Sequence, residues 1–216
     1  MKWRLLAGVS AEDVRRLEAV AQRRAYRRGQ VVFHDEDAAD ALHLVARGRF
    51  AVRVTAPGGE SVLLAVVGPG DAFGELALVS GGRRGATVQA FADGETLALH
   101  RDAFEALRRA RPAVDRALAL MLAQRLRRLH DLLVEAHYVD ADVRVRRRLA
   151  ELAEVFDGTV PLTQEEIAQT AGTSRATVNR VLREEEAAGS VELGRGRTTI
   201  RDAAALGRRA GVLAVD

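Results

Sequence analysis

The residues best equipped for chemistry cluster late in the chain, where Thr173, Ser174, Arg175, Ala176, Thr177, Asn179, Arg180 and Arg183 share one short stretch. On a helix, Arg175, Ala176, Asn179, Arg180 and Arg183 occupy positions i, i+1, i+4, i+5 and i+8, a face opposite the apolar Val178, Val181 and Leu182. A guanidinium fork can bond O6 and N7 of guanine, and an Asn amide can do the same at an adenine edge. Hydroxyls such as those of Thr163, Ser174 and Thr177 typically hold phosphates and set register, and Thr173 is counted with them among the DNA-binding residues. The combination points to the reading of double-stranded DNA rather than to catalysis.

Such a face needs elements to aim it. Thr163-Gln164-Glu165-Glu166 has the form of a capping box and opens a helix carrying Ile167, Ala168 and Ala171. Gly172 supplies a sharp turn and Thr173-Ser174 caps the second helix, so the pair reads as a helix-turn-helix. After Gly189, the segment Ser190 to Leu193, a Gly194-Arg195-Gly196 turn and the returning Arg197 to Ile200 form a hairpin wing, with Arg195 at its tip near backbone phosphates.

Upstream, Ser10 is placed to cap an amphipathic helix to about Ala25, with Val14, Leu17, Val20 and Ala21 on its apolar side. From Arg28 to about Leu99, short apolar runs alternate with glycine turns, the texture of an antiparallel barrel or sandwich. Pro112 then begins an uninterrupted helical stretch to Tyr138, roughly 40 Å long. Leu122, Leu126, Leu129, Leu133 and Ala136, spaced four, three, four and three, form a seam suited to a partner helix and hence to a homodimer. The alternative is a helix packed on its own β-domain. Asp140 is expected to cap a further helix to about Val155. The expected organisation is a β-domain over residues 1–111, a dimerisation helix over 112–138, a winged helix-turn-helix domain over 139–202, and a tail over 203–216 with no assigned function.

Composition narrows the class. The chain has 216 residues, a net charge of +3 and no cysteine, which excludes disulfides, thiolate zinc sites and thiol redox sensing. Five histidines lack metal-ligand spacing, so no metal is expected, and no cofactor is required. There is no G-x-S-x-G elbow, Walker loop or H-E-x-x-H pair, so no enzyme is expected. With no signal-peptide core and no apolar run long enough to span a bilayer, the expectation is a cytoplasmic protein without membrane contact. Charge is asymmetric: His34-Asp35-Glu36-Asp37 lies early, whereas Arg144, Arg146, Arg147, Arg148, Arg175, Arg180, Arg183, Arg195 and Arg197 lie late, suggesting an anionic partner for the C-terminal part.

Phe73-Gly74-Glu75-Leu76-Ala77-Leu78, then Arg84-Gly85-Ala86-Thr87, and finally Thr173 to Arg180 together resemble the cyclic-AMP receptor protein, or Crp-Fnr, family over residues 10–202. The resemblance implies an α+β fold: an N-terminal antiparallel β-roll of jelly-roll, cyclic-nucleotide-binding type, a long dimerisation helix and a C-terminal winged helix-turn-helix. It implies a phosphate-binding cassette at Gly74, Glu75, Leu76 and Arg84, continued by Gly85 and Ala86, with cyclic AMP as effector. The alternative is that Glu75 and Arg84 pair with each other in a ligand-free fold. It also implies a DNA operator, and RNA polymerase as partner if the protein is an activator. Three departures stand out. Gly85 replaces a hydroxyl residue, Leu129 and His130 occupy the positions of an adenine-contacting polar pair, and Ala176 stands where many relatives carry Glu. The function expected is a homodimeric regulator on an inverted-repeat operator, modulated by a cyclic nucleotide. The alternatives are a ligand-independent or other-effector regulator of the same fold, or a nucleotide-binding module without DNA binding.

Overall fold

The computed structural model describes residues 3–56, 58–59 and 61–211. It divides into two compact units, Met1–Arg127 and Arg128–Asp216, with the boundary inside the long helix rather than at its ends.

In the first unit, a 3-10 turn at Arg4–Leu6 precedes helix α1, Ala11–Val20, where the Ser10 side chain accepts from the Asp13 amide at 3.1 Å. The helix expected to reach Ala25 stops at Val20: Ala21 is extended, and Gln22–Tyr26 forms strand β1. The polar run Gln22-Arg23-Arg24 carries no strand signature of its own, and pairing with a distant strand decides its conformation. Val20, expected on the apolar side, is exposed.

The remaining strands of this unit are β2 (Val31–Phe33), β3 (Ala41–Arg47), β4 (Phe50–Thr55), β5 (Ser61–Val67), β6 (Ala72–Phe73), β7 (Thr87–Ala90) and β8 (Gly94–His100). They form two four-stranded antiparallel sheets, ordered β1-β8-β3-β6 and β2-β7-β4-β5. Tyr26, Val45, Phe50, Phe73 and Val88 fill the core of the roll. A second core gathers Trp3, Leu5, Leu17, Leu42, Leu44, Leu99 and Phe104, which explains why β3 is buried on both faces and reads as a nearly continuous apolar run. Helices α2 (Glu75–Ser80) and α3 (Arg101–Ala110) flank the sheets, and the first turns of α4 (Pro112–Tyr138) bury Val114 and Leu118.

The second unit contains the distal part of α4, then α5 (Ala141–Val155), β9 (Thr159–Val160), α6 (Gln164–Ala171), α7 (Arg175–Ala187), β10 (Val191–Gly194), β11 (Arg197–Ile200) and α8 (Ala203–Arg209). A three-stranded sheet, β10-β11-β9, provides the wing. Val145, Leu149, Ile167, Val178, Val181 and Leu182 form its buried interior. Asp140 sits at the N-cap of α5, but its side chain makes no cap hydrogen bond there. The segment beyond Asp202, read from sequence as a tail, carries α8, whose Leu206 is fully buried and whose Arg209 reaches the buried Glu185. Residues 212–216 of that tail lie outside the described residues.

Candidate functional site

Thr163 caps α6 through a complete capping box: its hydroxyl accepts from the Glu166 amide at 3.2 Å, and the Glu166 carboxylate accepts from the Thr163 amide at 2.9 Å. The same hydroxyl donates to Glu166 at 3.0 Å, so its proton is already committed within the cap. Gly172, with φ of 59°, makes the left-handed turn that ends α6, a conformation that suits glycine. Ser174 then caps α7, accepting from the Thr177 amide at 3.1 Å, and the Ser174 and Thr177 hydroxyls bond each other at 3.0 Å. The two helices are thus locked by local hydrogen bonds that the sequence itself encodes.

The exposed face of α7 holds Arg175, Ala176, Asn179, Arg180 and Arg183, as the spacing requires. Their electrostatic states differ. Arg175 has no ion pair or hydrogen bond among the described residues. It borders a concavity of about 470 Å³ between the start of α6 and the wing, where Arg197 also lies. Asn179 accepts from the Gln164 amide at 3.2 Å, leaving its NH2 free to donate. Arg180 is engaged by Asp142 and Glu184, and Arg183 pairs with Glu186. On the wing, Arg195 and Arg197 are exposed, and among the described residues neither has an ion pair or hydrogen bond.

Four arginines of the C-terminal excess are used internally and do not contribute to an anionic partner's surface. Arg144 donates to the carbonyls of Val139, Ala171 and Gly172, while Arg146, Arg147 and Arg148 pair with Glu184, Glu185, Glu135 and Glu151. These side chains brace α5 against its neighbours. Residue type alone showed their charge but not the carboxylates that neutralise it.

In the first unit, β6 leads directly into the cassette. Gly74 has φ of 82°, and a Cβ there would meet the Arg84 Nη1 at 2.6 Å, so only glycine fits. Glu75 and Arg84 are both buried, yet they do not pair with each other, which corrects the alternative drawn from sequence. Arg84 donates to the Gly74 carbonyl at 2.8 Å, to the Ala41 carbonyl at 2.8 Å and to Asp40 at 3.1 Å, with its guanidinium 4.1 Å from the Phe33 ring centroid. Glu75 is gripped by Arg125 of α4, a partner that sequence reasoning missed because nothing distinguished it among neighbouring arginines. Burial raises the Glu75 carboxyl above its ordinary range, with Arg125 acting in the opposite direction. Burial pushes the His43 imidazole down to about 3, so it is neutral where it stacks on Phe73 and bonds Thr96 at 3.1 Å.

The Oε2 of Glu75 and the Nε of Arg84 are buried without a hydrogen-bond partner. An orphan carboxylate oxygen fits a ligand hydroxyl, and an exchangeable Asp40 beside Arg84 fits displacement by an anionic phosphate. Leu76 and Gly85 are exposed and Ala86 is half-buried at the rim. Leu129 and His130 are exposed on the distal part of α4 and belong to the other unit. Of the seam residues, Leu122 packs partly on the β-domain core, whereas Leu126, Leu129, Leu133 and Ala136 are exposed.

A β-roll bearing such a cassette, a long helix with an exposed leucine seam and a winged helix-turn-helix with an open arginine define a DNA-binding transcription regulator. Residues 23–111 match the cyclic nucleotide-binding domain model, and residues 143–209 match the Crp-like helix-turn-helix domain model. The chain is 40% identical over 205 residues to the cyclic AMP receptor protein of Thermus thermophilus, covering 94% of each chain. It is 33% identical over 214 residues to the CRP-like cAMP-activated global transcriptional regulator of Mycobacterium tuberculosis, covering 95% of this chain and 96% of that one. Among solved structures, the catabolite activator protein of Thermus thermophilus aligns with a TM-score of 0.58 at 38% identity, covering 97% of this chain and 99% of that one. The chain belongs to the Crp-Fnr family of DNA-binding transcriptional regulators, which are not enzymes. No helix among the described residues is long and apolar enough to cross a membrane.

Proposed function

We propose that the protein acts as a homodimer, joined through the exposed seam of α4, that binds an inverted-repeat operator and responds to cyclic AMP in the β-roll. Arg175 and Asn179 read bases from the major groove, while Thr173, Ser174, Thr177 and Arg195 meet the backbone. Ala176 offers a methyl group to a thymine instead of a carboxylate to a cytosine. Gly74, Glu75 and Arg84 hold the effector, with Leu76, Gly85 and Ala86 at its rim, and Leu129 and His130 of α4 are the further effector contacts that the family resemblance implies. RNA polymerase is the further partner if the regulator activates.

The observation that carries the effector reading is the buried Glu75 oxygen left without a donor beside the Gly74–Arg84 contact. Two whole-length relatives named for cyclic AMP support it. A second reading, a regulator competent without nucleotide, is favoured by Arg84, whose outer nitrogens are already satisfied by two carbonyls and Asp40. Control requires the nucleotide to bind the DNA-competent state more tightly than the other state. Operator affinity measured with and without saturating cyclic AMP, in wild type and in Arg84→Ala, separates the two. The first reading expects a nucleotide-dependent gain in wild type that Arg84→Ala removes. No gain in either protein favours the second, and a gain undiminished in Arg84→Ala rejects the cassette assignment.

A further inference from the structure

Within the second unit, α4 runs into α5 through a short corner at Val139 and Asp140, and polar contacts hold the two helices at their angle. From Arg128 to Tyr138 only Leu132 and Glu135 are not exposed, so this stretch has little apolar purchase on the helices that follow it. Glu135 instead reaches two consecutive arginines of α5. Its Oε1 accepts from Arg147 Nη1 at 3.0 Å and its Oε2 accepts from Arg148 Nη2, one guanidinium to each oxygen. Arg148 is only 4% exposed, and its other terminal nitrogen donates to Glu151. Arg147 Nε donates to the Ala210 carbonyl at 2.9 Å, which extends the same link to the end of α8. At the corner itself, Arg144 donates to the Val139 carbonyl at 2.6 Å and to the Ala171 and Gly172 carbonyls at 3.0 and 2.9 Å, tying the corner to the turn between α6 and α7. A pinned corner and a strut across its arms define an angle.

We propose that Glu135 is a positioning residue for operator recognition: by holding Arg147 and Arg148 it sets the angle of α5 to α4, and with it the separation at which the two recognition helices of a dimer meet DNA. This rests on the reading of the protein as a seam-joined homodimer on an inverted repeat. In such a dimer the distal parts of α4 lie side by side, so the elbow decides how far apart the two heads stand. Val145 and Leu149 of α5 are buried in the interior shared with α6 and α7, so α7 follows wherever α5 points. One base pair added between half-sites moves one of them by about 3.4 Å and turns it by about 35° around the duplex axis. A head on a loose elbow can follow that displacement, whereas a head on a held elbow cannot. The hold is stiff because any swing that parts Glu135 from Arg148 leaves a charge uncompensated in the interior.

The test uses the full chain, an operator enriched by the wild-type protein from a random duplex pool, and two versions of that operator with one base pair added or removed between the half-sites. Wild type should bind the altered spacings on the order of a hundred-fold more weakly, the scale of forfeiting the specific contacts of one half-site. Glu135→Gln removes the charge and sets an NH2 against an arginine. It should shrink that ratio by about ten-fold, the scale of one charge-assisted hydrogen bond. A general weakening of the fold would lower affinity for all three duplexes alike and leave the ratio where it was. An unchanged ratio in a folded Glu135→Gln protein, or a wild type indifferent to spacing, therefore overturns the proposal. Should Glu135→Gln fail to fold, the elbow of the otherwise wild-type chain decides. The sequence has no cysteine, so spin labels at Asp131→Cys on α4 and Arg208→Cys on α8, both exposed, report the angle within one labelled protomer diluted into unlabelled chain. A single narrow distance is expected without DNA, and a broad or two-peaked distribution overturns the proposal. A wild-type protein that enriches no inverted repeat overturns the dimeric operator reading and this inference with it, whereas an enriched repeat whose spacing preference survives Glu135→Gln overturns this inference alone.

Discussion

The guanidinium of Arg125 on α4 grips the buried carboxylate of Glu75 and at the same time donates to the Ala72 carbonyl at 2.8 Å, so one side chain of the long helix ties down the start of α2 and strand β6 together. Removing it strands a charge in the interior. Arg125→Ala should cost about 3 kcal/mol, near the low end for a broken buried pair because Arg125 itself is partly exposed. The Glu75 carboxyl titrates above its ordinary value in the folded state, so the folded protein binds more protons than the unfolded chain between those two values. Stability is therefore lost as pH rises through that window, and loss of Arg125 extends the window upward. Thermal melts of Arg125→Ala should show a larger deficit at pH 7 than at pH 5, and Glu75→Gln in the same chain should restore part of it. A deficit independent of pH would mean that packing, not charge, is what Arg125 supplies.

What the sequence made legible was local. The Ser10, Thr163 and Ser174 caps, the Gly172 turn and the α7 face depend on residues within about one or two turns of each other, and each stands as its spacing requires. Features set by distant partners were not legible. Strand β1 takes its form from β8, the direction of Arg84 from the carbonyls of Gly74 and Ala41, and the ion pairing of Arg180 from a carboxylate 38 residues away. Helix α8 was missed for the same reason: an Ala- and Gly-rich segment becomes structure only when Leu206 finds the interior and Arg209 finds Glu185.

On the distal part of α4, Leu126 is 68% exposed and Leu133 is 61% exposed, a spacing of seven residues on one face. Apolar side chains in register along a helix favour a second copy of the same helix. Replacing both with Glu should place like charges against their mates and yield monomers by analytical ultracentrifugation. A double variant that still sediments as a dimer would move the interface away from this seam.

Arg175 faces outward with a free fork, so its loss should be felt at one position of the operator. Arg175→Ala is expected to cost roughly 1 to 3 kcal/mol on the preferred sequence and to relax selection at a single base pair. Competition binding against operators varied one position at a time measures this. Equal weakening on every sequence would instead assign Arg175 to a phosphate.

Glu185 is buried at the junction of α7 and α8 and accepts from Arg209, from Arg146 at 2.7 Å and from the Ser190 hydroxyl at 2.5 Å. Burial alone would raise its pKa, but the hydrogen bonds from Arg209, Ser190 and Arg146 outweigh that penalty and hold the carboxyl at about 2, against an ordinary 4.5. A depressed folded value means that the unfolded chain binds the proton first as pH falls. The stabilisation is therefore complete above the ordinary value and is lost progressively between about pH 5 and pH 2. Its size is on the order of 3 kcal/mol. Glu185→Gln should thus unfold more readily than wild type at pH 7 and show a flatter acid transition, whereas Arg209→Ala should raise the pH at which the acid transition begins. Truncation after Asp202 removes Arg209 and the buried Leu206 together, and should destabilise the DNA-binding unit more than Arg209→Ala alone. Urea melts between pH 3 and pH 7 compare the four proteins directly. A truncated chain as stable as wild type across that range would show that α8 rests on the unit without supporting it.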